Sequence, residues 1–147
     1  MTAQTVKDSP TGWVSDHIKS YVATGGERGH LWRGAPTLLL TTVGRRSGER
    51  RRTALIYGRD GEDYVIVASY GGAPQHPAWY LNLDANPVVE VQVGDEVFPA
   101  TARTAGPEQR ARLWPELADI WPEYNSYQEK TDREIPLVVL TRTDHPA

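Results

Sequence analysis

Cysteine is absent from the 147-residue sequence, and phenylalanine and methionine occur once each. Without cysteine the chain has no disulfide, no thiolate nucleophile and no cysteine-ligated metal site. No apolar run approaches the roughly 20 residues that a membrane-spanning helix needs. Residues 1–10 lack the apolar segment of a signal peptide, so we expect a cytoplasmic protein. The net charge of −3 argues against a general attraction to polyanions.

Tryptophan and tyrosine, with five and seven copies, make up nearly all of the aromatic residues. Such rings have an apolar body and a polar edge, and they suit a partly wet cleft as well as a core. The length fits one hydrophobic core. We divide the chain into residues 1–30, an N-terminal tail and amphipathic helix, and residues 31–147, the main domain.

The N-terminal helix is predicted by apolar residues at helical spacing between positions 13 and 22. Thr11 is a candidate cap, and Gly25-Gly26 is a candidate end. Packing of this helix on the domain is the expectation. Weak contact of residues 13–22 with a membrane surface is the alternative, because amphipathic helices also lie on bilayers.

Short segments rich in apolar and β-branched residues dominate the main domain. Turn signals at Asp60-Gly61 and Gly94-Asp95 join neighbouring segments as hairpins. We predict a mostly β fold with helices (α+β), in which about six antiparallel strands close into a small barrel. The predicted strands span residues 38–43, 53–57, 64–69, 88–93, 97–104 and 135–141.

Prolines mark the other helices. Pro77 is predicted at the first helical position of one helix, which ends at Asn86-Pro87. Pro107 opens a second helix, and Pro122 breaks or redirects it. The segment 121–133 is neither clearly helix nor strand, and its aromatic and polar residues predict a cap over a site.

An arginine-rich turn spans residues 44–52, and five of its nine residues are arginine. Arginine pairs at two points with phosphate or carboxylate groups. The two glycines let backbone amides approach an anion. The segment therefore predicts an anion-binding turn. A solvated hairpin is one alternative, and a nucleic-acid arm, with salt-dependent affinity for oligonucleotides, is another.

A second candidate site lies where a predicted strand ends at Ser69 and a helix begins at Pro77, because ligands with phosphate or carbonyl groups bind at such junctions. Ser69 offers a hydroxyl and Trp79 an aromatic face. A plain connection with Trp79 in the core is the alternative.

A third candidate site carries Tyr124 and Tyr127, three residues apart and therefore on one side of a helical turn. Phenols can hydrogen-bond a carbonyl or donate a proton to a reduced substrate. Two surface tyrosines are the alternative. The four histidines have no metal-ligand spacing, and neither hydrolase nor Rossmann signatures occur, so we expect no metal and no such enzyme.

The order of these segments resembles the deazaflavin (coenzyme F420)-dependent nitroreductase and quinone reductase family of actinobacteria. The resemblance covers residues 30–142. It is carried by Leu40–Gly48, Ala68–Gly72, Pro77–Leu83, Asn86-Pro87, Trp114-Pro115, Thr131–Arg133 and Ile135–Leu140.

The resemblance implies a split β-barrel related to flavin reductases and pyridoxamine-phosphate oxidases. It implies an oxidoreductase that transfers a hydride from reduced F420 to small acceptors, namely quinones, nitroaromatic compounds, or α,β-unsaturated lactones and enones. The alternatives are an FMN-dependent oxidoreductase on the same barrel and a non-catalytic deazaflavin carrier. We expect a small-molecule substrate, no nucleic acid, and a monomer or homodimer.

The resemblance also implies roles for individual residues. The coenzyme's phosphate and acidic oligoglutamate tail would be held by Arg45, Arg46, Ser47 and Arg51. The rest of the cofactor would lie along Arg52, Thr53, Ala54, Leu55 and Ile56, and be framed by Val67, Ala68, Ser69, Tyr70, Ala78, Trp79, Tyr80, Leu81 and Asn82. Tyr124 and Tyr127 would cover the ring and, with Trp121, meet the substrate, and Ser69 would lie near the reacting centre. Two positions depart from the nitroreductase pattern, Tyr70 (usually basic) and Trp121 (usually tyrosine), which puts nitroimidazole reduction in doubt.

Overall fold

Six antiparallel strands close into a barrel in a computed structural model that describes residues 6–8, 12–27, 31–32 and 35–143. The closed order is β3-β4-β5-β8-β7-β6, and β6 returns to pair with β3. The predicted fold class is therefore confirmed. In chain order the elements are β1 (Val6–Asp8), α1 (Gly12–Thr24), β2 (Leu31–Trp32), β3 (Ala35–Val43), β4 (Arg50–Asp60), β5 (Asp63–Val67), a 3₁₀ turn (Tyr70–Gly72), α2 (Ala78–Ala85), β6 (Val88–Val93), β7 (Glu96–Thr104), α3 (Pro107–Ile120), α4 (Glu123–Glu129) and β8 (Leu137–Arg142).

The barrel interior is filled by alternate residues of the six strands, since successive side chains of a strand point to opposite faces. Strand register puts Leu40 opposite Val91, and Ile66 opposite Val138, on this inner face. Both pairs are buried. The same cluster contains Leu38, Tyr57, Leu83, Val89, Phe98, Ala100, Ala102 and Leu140.

The outer face of β5 and β8 is covered by α3 and α4. Leu113 and Leu117 of α3 are buried there with Val65 and Val139. At the end of this contact, Asp60 accepts two hydrogen bonds from Arg112 and one from Gln109. These bonds hold the pKa of Asp60 down at about 2, and they fix α3 to the β4–β5 hairpin.

The outer face of β3 is covered by α1. Ile18 and Tyr21 are fully buried against Leu39. The Tyr21 hydroxyl donates to the Thr37 carbonyl at 3.1 Å and accepts from the Gly94 amide at 2.7 Å. The predicted packing of the helix on the domain is thus confirmed for its described side chains. The cap predicted at Thr11 lies outside the described residues.

Several element boundaries differ from the predictions. β4 begins at Arg50, because pairing with β3 extends it through the arginines. Residues 6–8 form β1, which pairs in parallel with Arg50–Arg52 rather than belonging to a free tail. The segment after Pro122 forms the helix α4. Pro77 caps α2 from outside the helix, at the position before the one predicted.

Candidate functional site

The arginine-rich turn is closed by its own backbone. The Gly44 amide donates to the Glu49 carbonyl at 2.7 Å, and the Gly48 amide donates to the Gly44 carbonyl at 2.9 Å. The Ser47 hydroxyl accepts from the Glu49 amide at 3.1 Å. Gly48 has a φ of 73°, in the left-handed region that favours glycine. The turn therefore has a defined shape, with exposed residues from Arg45 to Gly48.

The arginines of this segment differ in how their charges are matched. Arg50 pairs with Glu90 at 3.0 Å, and Arg51 pairs with Glu49 at 3.3 Å. Among the described residues, the Arg45 guanidinium binds only the neutral side-chain amide of Asn82, at 2.9 Å. Within residues 35–143 the exposed Arg46 side chain has no hydrogen bond or ion pair. Uncompensated positive charge is thus concentrated at Arg45 and Arg46.

Asn82 connects the turn to α2. Its side chain is only 3% exposed. The side-chain oxygen accepts from both the backbone and the guanidinium of Arg45, and the side-chain nitrogen donates to the Thr42 hydroxyl at 3.4 Å. The sequence predicted Asn82 as a cofactor residue. The structure places its side chain behind the turn, where it orients Arg45.

An open strand edge lies further along β4, beyond the three residues that pair with β1. β3 pairs with β4 on one side from Arg50 to Ile56. On the other side, β1 pairs with residues 50–52 and β5 with residues 57–60. Among the described strands, none pairs with Thr53–Ile56 on that second side. An unpaired edge presents backbone N–H and C=O groups to a partner. Of the five residues predicted to run along the cofactor, Thr53–Ile56 lie on this edge, whereas Arg52 pairs with Asp8 of β1.

The connection from β5 to α2 is held by Arg133, which the sequence marked only as part of a motif. Its guanidinium donates to the carbonyls of Ser69 at 2.8 Å, Ala73 at 2.9 Å and Ala68 at 3.3 Å. It also lies 3.1 Å from Nδ1 of His76. Desolvation lowers the pKa of His76, and the charge of Arg133 lowers it further.

Tyr70 lies at the tip of this connection. It has a φ of 47° and is 55% exposed. A positive φ is uncommon for a bulky residue and marks a constrained backbone. The next turn is tight: a Cβ on Gly72 would lie 2.7 Å from the Tyr127 carbonyl oxygen. The structure thus brings the predicted Ser69–Tyr70 segment against α4.

The other predicted residues of α2 pack beside the barrel. Trp79 and Tyr80 are half-buried against the inner core cluster. The Tyr80 hydroxyl is 2.8 Å from the Thr104 hydroxyl, and the rings of His76 and Tyr80 are 4.8 Å apart. Ala78 is exposed and Leu81 is half-buried. Helix α2 therefore joins the arginine turn at one end to the Ser69 connection at the other.

The two predicted tyrosines of α4 differ in environment. Tyr124 is 5% exposed, and burial, followed by the proximity of Tyr127, raises the pKa of its phenol. No buried side-chain nitrogen or oxygen in the described residues lacks a hydrogen-bond partner. Within those residues the Tyr124 hydroxyl has no such partner, so it is the part of this side chain that reaches the surface.

Tyr127 is half-buried, with its ring 6.2 Å from that of Tyr124. Its hydroxyl donates to Glu123 at 2.9 Å and accepts from Trp121 at 3.5 Å. The three residues predicted to meet the substrate are therefore brought together on and beside α4.

The closed antiparallel barrel of six strands defines a split β-barrel fold. The fold is shared with the heme storage protein of Vibrio cholerae, which is 18% identical, with a TM-score of 0.58 over 74% of this chain and 82% of that one. At this identity the likeness shows the fold alone. The F420H(2)-dependent quinone reductase family model matches residues 13–142, so the chain belongs to that family.

Individual relatives agree with this assignment. The F420H(2)-dependent quinone reductase of Mycobacterium tuberculosis (strain H37Rv) is 47% identical over 130 residues, which is 86% of this chain and 87% of the relative. A solved F420-H2 dependent reductase is 44% identical, with a TM-score of 0.66 over 71% of this chain and 93% of that one. A structure described as a domain-swapped dimer is 42% identical, with a TM-score of 0.69 over 90% and 99% of the two chains.

The family is one of oxidoreductases, and its name specifies reduced F420 as the cofactor, so both predictions are confirmed. The arginine turn fits a polyanionic cofactor, because no carboxylate of the described residues pairs with Arg45 or Arg46. Within the described part of the chain, no helix is long and apolar enough to cross a membrane.

Proposed function

We propose that this chain reduces quinones with F420H2 as hydride donor, and that the cofactor lies along the open edge of β4 with its acidic tail at the arginine turn. The observation that carries the proposal is that two features lie on the same β3–β4 hairpin. Arg46 has no ion pair within the described residues, and no described strand pairs with Thr53–Ile56 on the second side of β4. An acidic tail would balance the first, and polar atoms of the cofactor would pair with the second.

The residues that would hold the cofactor fall into three groups. Arg45, Arg46, Ser47 and Arg51 would bind the phosphate and tail. The Thr53–Ile56 edge would supply backbone contacts, and Arg52 would lie beside it, where β4 still pairs with β1. Val67, Ala68, Ser69, Tyr70, Ala78, Trp79, Tyr80, Leu81 and Asn82 would frame the remainder, with Asn82 acting through Arg45.

When bound, the reduced deazaflavin supplies the hydride, and the protein supplies binding, orientation and exclusion of water. Tyr124 is the better candidate to hydrogen-bond the acceptor. Burial raises the pKa of its phenol and keeps it neutral, and its hydroxyl has no hydrogen-bond partner among the described residues. The Tyr127 hydroxyl is held by Glu123, so proton transfer from Tyr127 would leave a phenolate beside a carboxylate. Ser69 lies beside the strained Tyr70 and would contact the reacting centre.

Quinones are the proposed acceptor class because the family and its curated relatives carry that name. Nitroaromatic compounds and α,β-unsaturated lactones or enones remain further candidate acceptors. Exposed Tyr70 and half-buried Trp121 supply aromatic surface, which favours flat conjugated acceptors.

We infer that the chain forms a homodimer, because the 42% identical solved structure is described as a domain-swapped dimer. Light scattering at several protein concentrations would test this, and a monomer throughout would contradict it. Cytoplasmic action also remains a prediction. Membrane contact through residues 13–22 is not part of the proposal, because Ile18 and Tyr21 pack on the barrel.

The proposal is tested by mixing the purified protein with F420H2 under anaerobic conditions and then adding menadione. Deazaflavin absorbance and fluorescence report binding and oxidation separately. We expect tight binding and rapid oxidation only after menadione is added. Binding without oxidation on any acceptor would indicate a carrier, and binding of FMN alone would indicate a flavin enzyme on the same barrel.

A further inference from the structure

Arg133 binds backbone carbonyls that lie 60–65 residues away along the chain. Three carbonyls accept from it, those of Ala68, Ser69 and Ala73. Within residues 35–143 no carboxylate pairs with it. Partial burial lowers the pKa of its guanidinium without compensation from an anion. A partly desolvated charge whose partners are three carbonyls and one imidazole nitrogen fixes the geometry of a backbone segment rather than neutralising an anion.

The segment that Arg133 fixes is the turn of residues 68–73. The guanidinium and the 3₁₀ turn together occupy the carbonyls of Ala68, Ser69, Tyr70 and Ala73. Within the described residues, the backbone N–H groups of Ser69 and Tyr70 donate to no partner. The turn therefore offers a ligand two N–H donors, those of Ser69 and Tyr70, while those four carbonyls are already hydrogen-bonded. Such an arrangement suits an oxygen atom of a ligand, which accepts hydrogen bonds.

Arg133 is itself held by α4, the helix that carries the two tyrosines. The Gln128 side chain donates to the Arg133 carbonyl at 2.8 Å and accepts from the Ile135 amide at 2.9 Å. Arg110 donates to the same Gln128 oxygen at 3.0 Å. One chain of hydrogen bonds thus runs from α4 through Arg133 to the Ser69–Tyr70 turn.

We propose that Arg133 is a positioning residue of this reductase, which holds the Ser69–Tyr70 turn in its constrained conformation and in register with the tyrosines of α4. The inference rests on the proposed function, because it assigns the turn to the site of hydride transfer. The planar guanidinium matches three carbonyls at once. A lysine ammonium also has three N–H donors, but they radiate from one nitrogen and lack the planar, paired arrangement of a guanidinium. Lysine at this position can therefore restore only some of the three hydrogen bonds.

The test compares Arg133→Gln and Arg133→Lys with Arg112→Gln, a control in which the lost bonds join α3 to Asp60 at the β4–β5 hairpin. We expect Arg133→Gln to lower kcat about 10- to 100-fold, the size expected when a reacting group is misplaced by about 1 Å. The Kd for F420 should change much less than kcat, because the charged phosphate and tail bind at the arginine turn and not at residues 68–73. Arg133→Lys should fall between Arg133→Gln and the wild type, and Arg112→Gln should retain the wild-type kcat.

Amide hydrogen exchange gives a readout that does not depend on turnover. We expect faster exchange at residues 68–73 in Arg133→Gln and unchanged exchange at the arginine turn, 44–49. Unchanged kcat and exchange in Arg133→Gln would overturn the inference. So would parallel losses of kcat, F420 affinity and thermal stability in both Arg133 variants. A wild type that binds no F420 would refute the proposed function itself.

Discussion

Arg46 and Arg51 carry the same charge in different surroundings. Arg46 has no ion pair within the described residues, whereas Arg51 is paired with Glu49. A charged contact contributes roughly 1.5–3 kcal/mol, so Arg46→Ala should weaken F420 binding about 10- to 100-fold. Arg51→Ala should weaken it less, because Arg51 must first release Glu49.

Isothermal titration with F420 measures both effects. Arg112→Ala is the control, since Arg112 pairs with Asp60 on the α3 side of the barrel. Equal F420 affinities for wild type and Arg46→Ala would show that the tail does not bind at the turn.

Tyr124→Phe removes one hydroxyl from a buried ring and leaves the packing intact. Because that hydroxyl has no hydrogen-bond partner among the described residues, the variant should be as stable as the wild type. Turnover with menadione should fall by about tenfold or more, in line with loss of a group that assists proton transfer. The Kd for F420 should be unchanged. Stopped-flow kinetics with binding titrations separate the two quantities, and an unchanged turnover would remove Tyr124 from the mechanism.

At the level of elements, α2 and the arginine turn form one unit through Asn82. Asn82→Leu keeps a similar volume but leaves the Arg45 amide without its acceptor. The substitution also removes the Asn82 partner of the Thr42 hydroxyl, which is 1% exposed. Leaving a buried polar group unpaired costs about 1–3 kcal/mol, so the melting temperature should fall and F420 affinity should fall with it. Asn86→Ala, which removes an exposed hydrogen bond to the Val88 amide, is the control. If the Asn82→Leu protein were stable and bound F420 normally, Asn82 would not couple α2 to the arginine turn.

Most elements could be predicted from local patterns, and the exceptions have physical causes. The barrel strands show alternation or β-branched runs, and their hairpin turns carry Gly-Asp or Asp-Gly. The start of β4 was missed because three arginines resemble a turn, and pairing with β1 and β3 overrides that preference. Helix α4 was missed because Pro122 and polar residues hide its single buried position, Tyr124.

The part of the candidate site that consists of neighbouring charged residues was predictable from the sequence. The parts that depend on hydrogen bonds between residues far apart in the sequence were missed. The arginine turn is visible as a run of like charge. Arg133 is not visible in this way, because its partners lie 57–65 residues away along the chain. The buried role of Asn82 also depends on Arg45, which is 37 residues away. Local sequence carries no signal for such contacts.

For the whole molecule, His76 makes stability depend on pH. Its pKa is lowered in the folded state by desolvation and by Arg133, against a smaller opposing effect of Asp84. As pH drops below about 6.5, His76 therefore becomes protonated more readily in the unfolded chain than in the folded protein. The free energy of unfolding falls over this pH range. Above that pH the residue is neutral in both states and contributes nothing. His76→Gln should flatten this part of the pH profile in urea titrations, and an identical slope for both proteins would contradict the assignment.

The central claim is that the arginine turn recognises the acidic tail of a deazaflavin. The most direct measurement compares the Kd of the wild type and of Arg46→Ala for F420, for a deazaflavin without phosphate and glutamates, and for FMN. We predict that the wild type binds F420 far more tightly than the other two, and that Arg46→Ala weakens only the binding of F420. Equal affinity of the wild type for F420 and the tailless deazaflavin would contradict the claim.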